Sequence, residues 1–426
     1  MQVHLAYGEE RIEADLPDQA VVLRPQPVAG LADEHAAFLK ALENPIGSAP
    51  LSARAYSGMR VAIVTADITR PMPSDRILPW LLEVLHGAGV GYKDVVLING
   101  TGSHRGNTEE EFKKMYGPDI VARYRIINHD AYDKQTLCYL GKVETGAEVW
   151  LNKAFVEADF RIVTGFVEPH FFAGFSGGAK GIFPGIAGID SIMHFHNAAM
   201  IGHPKATWGV LEGNPLQEEA RAVWNLVQPE FLVNVTLNTN RQLTGIFCGT
   251  MPEAFEAGAA FEKKMAMVPV DEPFDVVVTT NSGYPLDQNL YQTVKGMSAA
   301  AEIVRPGGTI LCVSECREGF PDHGRFKELL QMQTIPKALL AMIESPGFHA
   351  FDQWEAQKLA TILLKARVLL YSSMPDETVR AAMLTPVAHI QRCVDDLLRQ
   401  YGPKARIAVL PDGPLTIPYL RPSVHL

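Results

Sequence analysis

The chain has 426 residues, of which 47% are hydrophobic and 20% are charged, and its formal net charge is -10. This composition is that of a folded globular protein with enough apolar residues for more than one core, and it excludes extensive disorder. The negative charge disfavours nucleic acid and membrane surfaces as partners, because both recruit clustered Lys and Arg.

The first residues, MQVHLAYGEERIEADLP, alternate apolar and polar side chains as a strand does. They lack the basic region and apolar core of a signal peptide, and no later run of about 18 apolar residues predicts a membrane span. We therefore expect a cytoplasmic protein. The five cysteines form no CxxC pair and their number is odd, which disfavours a disulfide framework and a cysteine zinc site.

Short apolar runs alternate with amphipathic stretches along the first 267 residues. The runs that predict buried parallel strands are RVAIVTA (60–66), DVVLIN (94–99), FRIVTGFV (160–167) and FLVNVTLN (231–238). Predicted helices separate them, and Thr108 with Glu111 has the spacing of a capping box, so one helix is expected to begin there. This repetition of strand and helix predicts an α/β domain.

A second α/β pattern follows VPVDEP (268–273), whose two prolines flank acidic residues and indicate a linker. Beyond it, the runs FDVVVTTN, GGTILCVSE and ARVLLYSS predict strands that again alternate with helices. The sequence therefore predicts two α/β domains with mainly parallel sheets, over 1–267 and 274–426, with the active site in the cleft between them and the second domain closing over a cofactor.

Unusual residues follow three of the predicted strands, in the loops DITRPMPSD, NGTGSHRG and VEPHFFAGFSGGAK. Open parallel sheets bind ligands outside the carboxyl ends of their strands, so these loops are expected to share one edge. The candidate side chains are Asp67 and Arg70 in the first loop, His104 in the second, and His170 and Lys180 in the third.

Residues 165–197 contain seven glycines, and this number suggests that the backbone approaches a ligand. Lys180 lies among these glycines and becomes a nucleophile if its apolar surroundings remove its proton; it could equally be a solvated loop lysine. Arg70 has the geometry to clamp a carboxylate, although an ion pair or turn with Asp67 is an equal alternative. His104 and His170 are suited to proton transfer near neutral pH.

Two glycine-rich stretches resemble nucleotide-binding motifs but do not match them. GTGSHRG is one residue too long for the GxGxxG fingerprint, and it carries a histidine where a pyrophosphate would lie. GFSGGAKG resembles a P-loop, but Ala179 stands in place of a glycine and Gly181 in place of the hydroxyl residue that holds magnesium.

His194 and His196 suggest a metal. On a helix over 189–201 they would lie about 200° apart, so only one could face a site, and a zinc site built from both is disfavoured. Gln292 and Lys295 would share one helix face at i and i+3, or they could be solvent exposed. The residues alone predict an α/β enzyme for a small anionic substrate, with two acid/base histidines, a special lysine and at most one histidine ligand to a metal.

The motifs DITRP, GTGSHR, EPHFFAGFSGGAKGIFPGI, HFHN, GVLEGNP, YQTVKG and DQW, in this order, resemble the lactate racemase family over essentially the whole chain. The resemblance implies an isomerase that inverts C2 of a 2-hydroxy acid by reversible hydride transfer. It also implies a covalently bound cofactor, the nickel-pincer nucleotide (pyridinium-3-thioamide-5-thiocarboxylic acid mononucleotide with nickel). Its soft, square-planar donor set is plausible for nickel.

By position, the resemblance implies a role for each candidate residue. Lys180 would carry the covalent link, His196 would ligate nickel, and His104 and His170 would transfer the hydroxyl proton. The remaining assignments are Arg70 and Lys295 for substrate binding, and Asp67, Gln292, Trp354 and Gly174 for cofactor binding.

The partners implied are a small 2-hydroxy acid and the enzymes that build the cofactor and insert its nickel. Phe171 and Phe172 beside His170 could reshape the pocket away from lactate, and the family includes racemases and epimerases of other 2-hydroxy acids. Two alternatives stay open: a zinc-dependent hydrolase or lyase using His104, His170 and His196, and a non-catalytic protein that binds the nucleotide.

Overall fold

A computed structural model of the chain describes residues 1–322 and 324–421. The strands, in chain order, are β1 (Gln2–Tyr7), β2 (Glu10–Asp15), β3 (Val21–Val22), β4 (Val61–Ala66), β5 (Val95–Gly100), β6 (Arg125–Asn128), β7 (Leu137–Lys142), β8 (Glu148–Asn152), β9 (Phe160–Phe166), β10 (Pro169–His170), β11 (Gly174–Phe175), β12 (Phe231–Leu237), β13 (Leu243–Gly249), β14 (Met267–Val270), β15 (Phe274–Thr280), β16 (Val304–Val313), β17 (Arg367–Tyr371), β18 (Thr385–Pro386), β19 (Ile407–Leu410) and β20 (Ile417–Leu420).

The helices are α1 (Glu34–Glu43), α2 (Leu51–Arg54), α3 (Ser74–Gly87), α4 (Glu109–Tyr116), α5 (Pro118–Arg123), α6 (Lys153–Val156), α7 (Ile189–Phe195), α8 (Ala198–Ile201), α9 (Pro215–Val227), α10 (Glu253–Ala266), α11 (Leu290–Ile303), α12 (Phe326–Gln331), α13 (Pro336–Ile343), α14 (Gln353–Lys365), α15 (Asp376–Ala381) and α16 (Ile390–Tyr401). Across residues 1–322 and 324–421, no helix has the length and apolar character needed to cross a membrane.

The chain divides into two compact units, which we name by their place in the sequence. The central unit contains Pro27–Phe195 and Lys205–Met265, and the terminal unit contains Met1–Gln26, His196–Pro204 and the chain from Ala266 onward. Both are α/β structures, so the predicted fold class of two α/β bodies with mainly parallel sheets is confirmed.

The central unit is built on a sheet of order β13-β12-β9-β4-β5-β6. Its pairings are parallel except that of β12 with β13. The apolar run predicted at 60–66 forms β4, whose first five residues are buried, as expected for a strand covered on both faces. Helix α3 packs on this sheet through Ile77 and four leucines that recur at helical spacing.

The capping box predicted at Thr108 is present. The Thr108 hydroxyl accepts a hydrogen bond from the Glu111 backbone N–H, and the Glu111 carboxylate accepts one from the Thr108 N–H at 2.8 Å. These two bonds satisfy backbone donors that a helix start otherwise leaves unpaired. The loop that follows β5 therefore ends at a fixed position.

The terminal unit is built on a sheet of order β18-β17-β16-β15-β19-β3, and all of these pairings are parallel. Its core contains alternate residues of several strands, for example Val276, Val278 and Val409. Strand β3 belongs to the N-terminal segment, and Val22 lies beside Val409 in the register.

The two units are not contiguous in sequence, whereas the sequence predicts two contiguous domains joined by a linker at 268–273. Residues 1–26 join the terminal unit because β3 pairs with β19. Residues 196–204 join it as well, since the Gln357 side chain donates a hydrogen bond to the Ala198 carbonyl at 2.8 Å. The predicted linker begins in a strand, because β14 pairs with β20.

The single helix expected over 189–201 is interrupted. Helix α7 ends at Phe195, and the Asn197 side chain accepts a hydrogen bond from the Met200 N–H, which begins α8. An asparagine in this position satisfies a free donor of the new helix. His196 therefore lies between two helices, and not on the face of one.

The seven glycines of 165–197 lie against protein atoms. A Cβ built on any of them would be between 2.1 and 3.0 Å from its nearest neighbour, and the residues are Gly165, Gly174, Gly177, Gly178, Gly181, Gly185 and Gly188. At Gly174, where φ is +74°, that neighbour is the Val210 carbonyl oxygen. Close packing of protein on protein thus accounts for glycines that the sequence suggested were there for a ligand.

We expect Gly178→Ala to destabilise the central unit, because its new Cβ would lie 2.7 Å from the Phe255 ring and φ is +56°. The clash should cost about 1 to 3 kcal/mol beyond the conformational strain. Gly146→Ala is the matched control, since its φ is +90° with no atom within 4 Å, and strain alone should cost about 1 to 2 kcal/mol. Denaturant unfolding measures both, and equal losses would contradict the packing role.

Candidate active site

Asp67 and His104 meet at the carboxyl ends of β4 and β5. The buried Asp67 carboxylate accepts a hydrogen bond from the Nδ1 of His104, with Oδ2 and Nδ1 2.8 Å apart. The His104 side chain itself is half exposed. Since Nδ1 carries the proton of this bond, Nε2 is left as the basic nitrogen of the neutral ring.

The Asp67 carboxylate is held in its charged form. Its Oδ1 accepts hydrogen bonds from the Thr69 N–H and hydroxyl, at 3.2 and 2.6 Å. Burial opposes ionisation, but the hydrogen bonds to His104 and Thr69 and the positive charge of Arg70 outweigh it and lower the pKa of Asp67. Asp67, expected at the cofactor site, thus has protein partners on both oxygens.

His170 lies at the end of the short strand β10, which pairs with β11. Its Nδ1 accepts long hydrogen bonds from the N–H groups of Ala173 and Phe172, at 3.3 and 3.5 Å. In the neutral ring the proton is therefore on Nε2. The rings of Phe171 and Phe172 pack against the imidazole, with centroids 5.2 and 4.4 Å away.

Lys180 lies in a 3-10 turn, Gly178–Gly181, that follows β11. Its Nζ is 5.4 Å from the centroid of the Phe195 ring and 5.8 Å from that of Phe172. Burial lowers the pKa of this amine, the charge of Arg70 adds to the shift and Glu168 opposes it, and together they bring the pKa to about 7. A large fraction of Lys180 is therefore neutral and nucleophilic near pH 7.

We expect an acylating reagent to modify Lys180 of the cofactor-free protein with a rate that reaches half of its maximum near pH 7. An ordinary lysine reaches that point near pH 10.4. In Arg70→Ala the midpoint should move to higher pH, because the guanidinium lowers the pKa of Lys180. Peptide mass spectrometry locates the label, and an ordinary midpoint in the unaltered protein would contradict the prediction.

Two backbone hydrogen bonds connect the loop of His104 to the turn of Lys180. The Gly102 N–H donates to the Gly185 carbonyl at 2.9 Å, and the Gly185 N–H donates to the Lys180 carbonyl at 3.2 Å. The structure therefore joins two loops of the central unit that the sequence placed at one sheet edge.

The terminal unit holds a second group of candidate residues. The imidazole of His196, which is buried, lies 4.6 Å from the Trp354 ring between centroids. The Trp354 indole N–H donates a hydrogen bond to the Tyr291 hydroxyl at 3.0 Å. Trp354, predicted from DQW, is thus brought together with His196, while Tyr291 lies in the motif YQTVKG but was given no role from the sequence.

Gln292 and Lys295 share a face of α11, as predicted. The Lys295 amine donates a hydrogen bond to the Gln292 side-chain carbonyl at 2.6 Å. Near them lies Glu355, which the sequence did not single out. Burial raises the pKa of Glu355 to about 8, and the positive charge of Lys295 opposes this shift.

His194 has a different environment from His196. Its Nδ1 lies 3.3 Å from the carboxylate of the fully buried Glu219, on α9, and this hydrogen bond raises the pKa of His194. The two histidines of HFHN thus point to separate partners. Among residues 1–322 and 324–421, no three His, Cys, Asp or Glu side chains cluster closely enough to hold a metal ion.

A parallel α/β fold with a carboxylate-bound histidine and a lysine of lowered pKa at its strand ends is typical of an enzyme that acts on a small molecule. The family model of the lactate racemase N-terminal domain matches residues 7–209, and that of the lactate racemase C-terminal domain matches residues 270–417. The chain belongs to the lactate racemase family, and it is an isomerase of the racemase type.

Two lactate racemases are similar to the chain over nearly its full length. That of Thermoanaerobacterium thermosaccharolyticum is 34% identical over 419 residues, which is 96% of this chain and 97% of the relative. That of Lactiplantibacillus plantarum is 34% identical over 417 residues, which is 96% of this chain and 98% of the relative.

Solved structures show the same fold. The lactate racemase apoprotein of T. thermosaccharolyticum superposes with a TM-score of 0.91 at 33% identity, covering 99% of this chain and all of that one. A Thermotoga maritima protein superposes with a TM-score of 0.68 at 18% identity, covering 91% of this chain and 98% of its own, which shows a shared fold alone.

Proposed function

We propose that the protein racemises lactate or a related 2-hydroxy acid, with a nickel-pincer nucleotide attached to Lys180. The observation that carries this proposal is the Lys180 amine, whose pKa burial lowers to about 7 within a chain of the lactate racemase family. A neutral amine is the form that bonds covalently to an acyl-type carbon. Two lactate racemases that are 34% identical to the chain support the substrate class.

The residues present fit the proposed cofactor. The neutral Lys180 amine would form the covalent link, and the His196 imidazole is a nitrogen donor of a kind that nickel accepts. Trp354 would offer a flat apolar surface beside that histidine. When bound, the nucleotide would supply an acceptor for the hydride on the substrate's C2.

The two histidines would transfer the hydroxyl proton, and in their neutral forms they carry the ring proton on different nitrogens. His104 presents Nε2 as a base, and the Asp67 carboxylate would stabilise the ring after it takes up a proton. The neutral His170 ring carries its proton on Nε2 and presents a donor. In one turnover, one histidine would take the hydroxyl proton as a neutral base, and the other, protonated on both ring nitrogens, would return a proton to the ketone oxygen and become neutral.

Arg70 and Lys295 would bind the anionic part of the substrate or cofactor. Arg70 is exposed at the end of the Asp67 loop, and its charge acts on Lys180. The Lys295 amine is oriented by Gln292. Phe171 and Phe172 are buried, and Phe171 also packs near Trp208, so protein contacts occupy much of their bulk. This favours lactate as the first substrate to test.

The test uses protein made in its native host or together with the enzymes that build the cofactor and insert nickel. Enantiopure lactate and larger 2-hydroxy acids are incubated with it, and chiral chromatography follows the opposite enantiomer. We expect conversion of at least one acid, nickel in the protein, and an intact mass above that of the chain. Zinc without an adduct would favour the hydrolase or lyase alternative, and an adduct without conversion of any acid would indicate a non-catalytic carrier.

Protein from a host without those accessory enzymes should be folded but inactive, because the chain alone supplies no hydride acceptor. Activity in such protein would contradict the cofactor assignment.

A further inference from the structure

Asn107 lies beside the loops that carry the hydrogen-bonded pair Asp67 and His104, and its side chain is almost fully buried. Its Oδ1 accepts a hydrogen bond from the Ile68 backbone N–H at 3.3 Å and another from the Asn99 side chain at 2.8 Å. Ile68 is the residue after Asp67, and Asn107 is three residues after His104. One amide oxygen therefore connects the loop of Asp67 to the loop of His104.

The rest of Asn107 is fixed as well. Its Nδ2 donates to the Glu111 carboxylate at 3.0 Å. Its backbone N–H donates to the side chain of Asn128, and its carbonyl accepts from that same side chain, both at 2.9 Å. Asn128 is the last residue of β6, so Asn107 is held by the sheet and by the start of α4, and it can transmit their position to Ile68.

The distance between His104 and Asp67 that Asn107 would maintain has a small tolerance. The bond from His104 to Asp67 spans 2.8 Å, and a hydrogen bond of this kind is lost when its atoms separate to about 3.6 Å. A displacement of less than about 1 Å between the two loops would break it and leave the His104 ring free to rotate. Misplacement of this size in an active site can cost about 10²-fold in rate.

We propose that Asn107 is a positioning residue that keeps the Asp67 loop and the His104 loop in register, so that Nε2 of His104 faces the substrate hydroxyl group. This inference rests on the proposed function for its catalytic part, while the connection between the loops can be tested without cofactor. Asn107 touches neither substrate nor cofactor in this role and acts through Asp67 and His104.

The first experiment is amide hydrogen exchange on the cofactor-free protein. In Asn107→Leu, which keeps the size but removes the side-chain hydrogen bonds, the amides of residues 67–70 and 72, the non-proline positions of 67–73, should exchange about tenfold faster. Asn107→Ser serves as a second variant if the leucine variant folds poorly. Thr108→Ala is the matched control, because it removes a hydrogen bond at the same helix start without touching Ile68, and it should leave 67–73 unchanged.

The second experiment uses holoenzyme and lactate. Asn107→Leu should lower kcat about 10- to 100-fold with KM within about twofold, while the mass adduct and nickel content stay. Added to Asp67→Asn, the same change should cause little further loss, since both act on the orientation of His104.

Unchanged exchange in 67–73, or losses that multiply in the double variant, would overturn the proposal. If the unaltered holoenzyme racemises no hydroxy acid, the proposed function fails and the catalytic part of this inference fails with it. The exchange result would then decide, by itself, whether Asn107 joins the two loops.

Discussion

Replacing Lys180 with alanine is expected to abolish racemisation and to remove the covalent adduct, while the protein stays folded. The amine is the only group of this side chain able to form the link, and alanine leaves no nucleophile at the turn Gly178–Gly181. Intact mass spectrometry, nickel analysis and a lactate racemisation assay on protein from a cofactor-producing host measure the three effects.

Two controls make the Lys180 result specific. Lys180→Arg keeps a long basic side chain but should also lack the adduct, because a guanidinium is not deprotonated in proteins. Lys153→Ala changes a half-exposed lysine that begins α6 and pairs with Glu157 just beyond that helix, and it should keep both adduct and activity. An adduct that persists in Lys180→Ala would place the attachment at another residue.

Replacing His104 or His170 with alanine is expected to lower kcat by about 10² to 10⁴, with the adduct and nickel retained. Each imidazole would transfer the substrate's hydroxyl proton, and neither is the group that attaches the cofactor. Asp67→Asn should lower kcat less than His104→Ala does, because the imidazole remains but loses the carboxylate that orients it. Stopped-time assays with both lactate enantiomers and intact mass provide the measurements.

His4→Ala is the control for the histidine variants, since its half-exposed ring lies on β1 and pairs with Glu13 at the surface. It should retain full activity. Loss of the adduct in His104→Ala or His170→Ala would instead mean that the histidine supports the cofactor site and has no role in proton transfer.

Local patterns in the sequence predicted much of the fold. The run 60–66 gave β4 because a strand covered on both faces is apolar throughout, and Thr108 marked a helix start because a capping box lies within four residues. The shared helix face of Gln292 and Lys295 could also be predicted from local sequence, because the geometry of a helix places residues i and i+3 side by side.

Long-range pairings lay outside what these patterns can show. Strand β3 is two residues long, and it pairs with β19, almost 400 residues further along the chain, while β1 and β2 pack into the core of the same terminal unit. The break at His196 depends on Asn197, which caps α8, whereas the sequence pattern predicts one long helix through this residue. Local patterns in one sequence do not identify a strand or helix partner that lies hundreds of residues away.

Only part of the candidate site could likewise be predicted from local sequence. Strand-end loops located Asp67, His104 and Lys180, because parallel sheets present their loops at one edge. The hydrogen bond between Asp67 and His104 and the stacking of Trp354 on His196 needed the folded chain. The number of glycines in 165–197 suggests a ligand nearby, and the structure shows protein atoms against each of them.

The pairing of Val22 with Val409 also sets an order for assembly during translation. At about 5 to 20 residues per second, the ribosome needs roughly 20 to 80 s between making one of these valines and the other. During that interval the central unit, which needs nothing beyond Met265, can fold first, while the amino-terminal residues wait without their strand partner. A nascent chain that stops before β19 would leave this early segment available to proteases and chaperones.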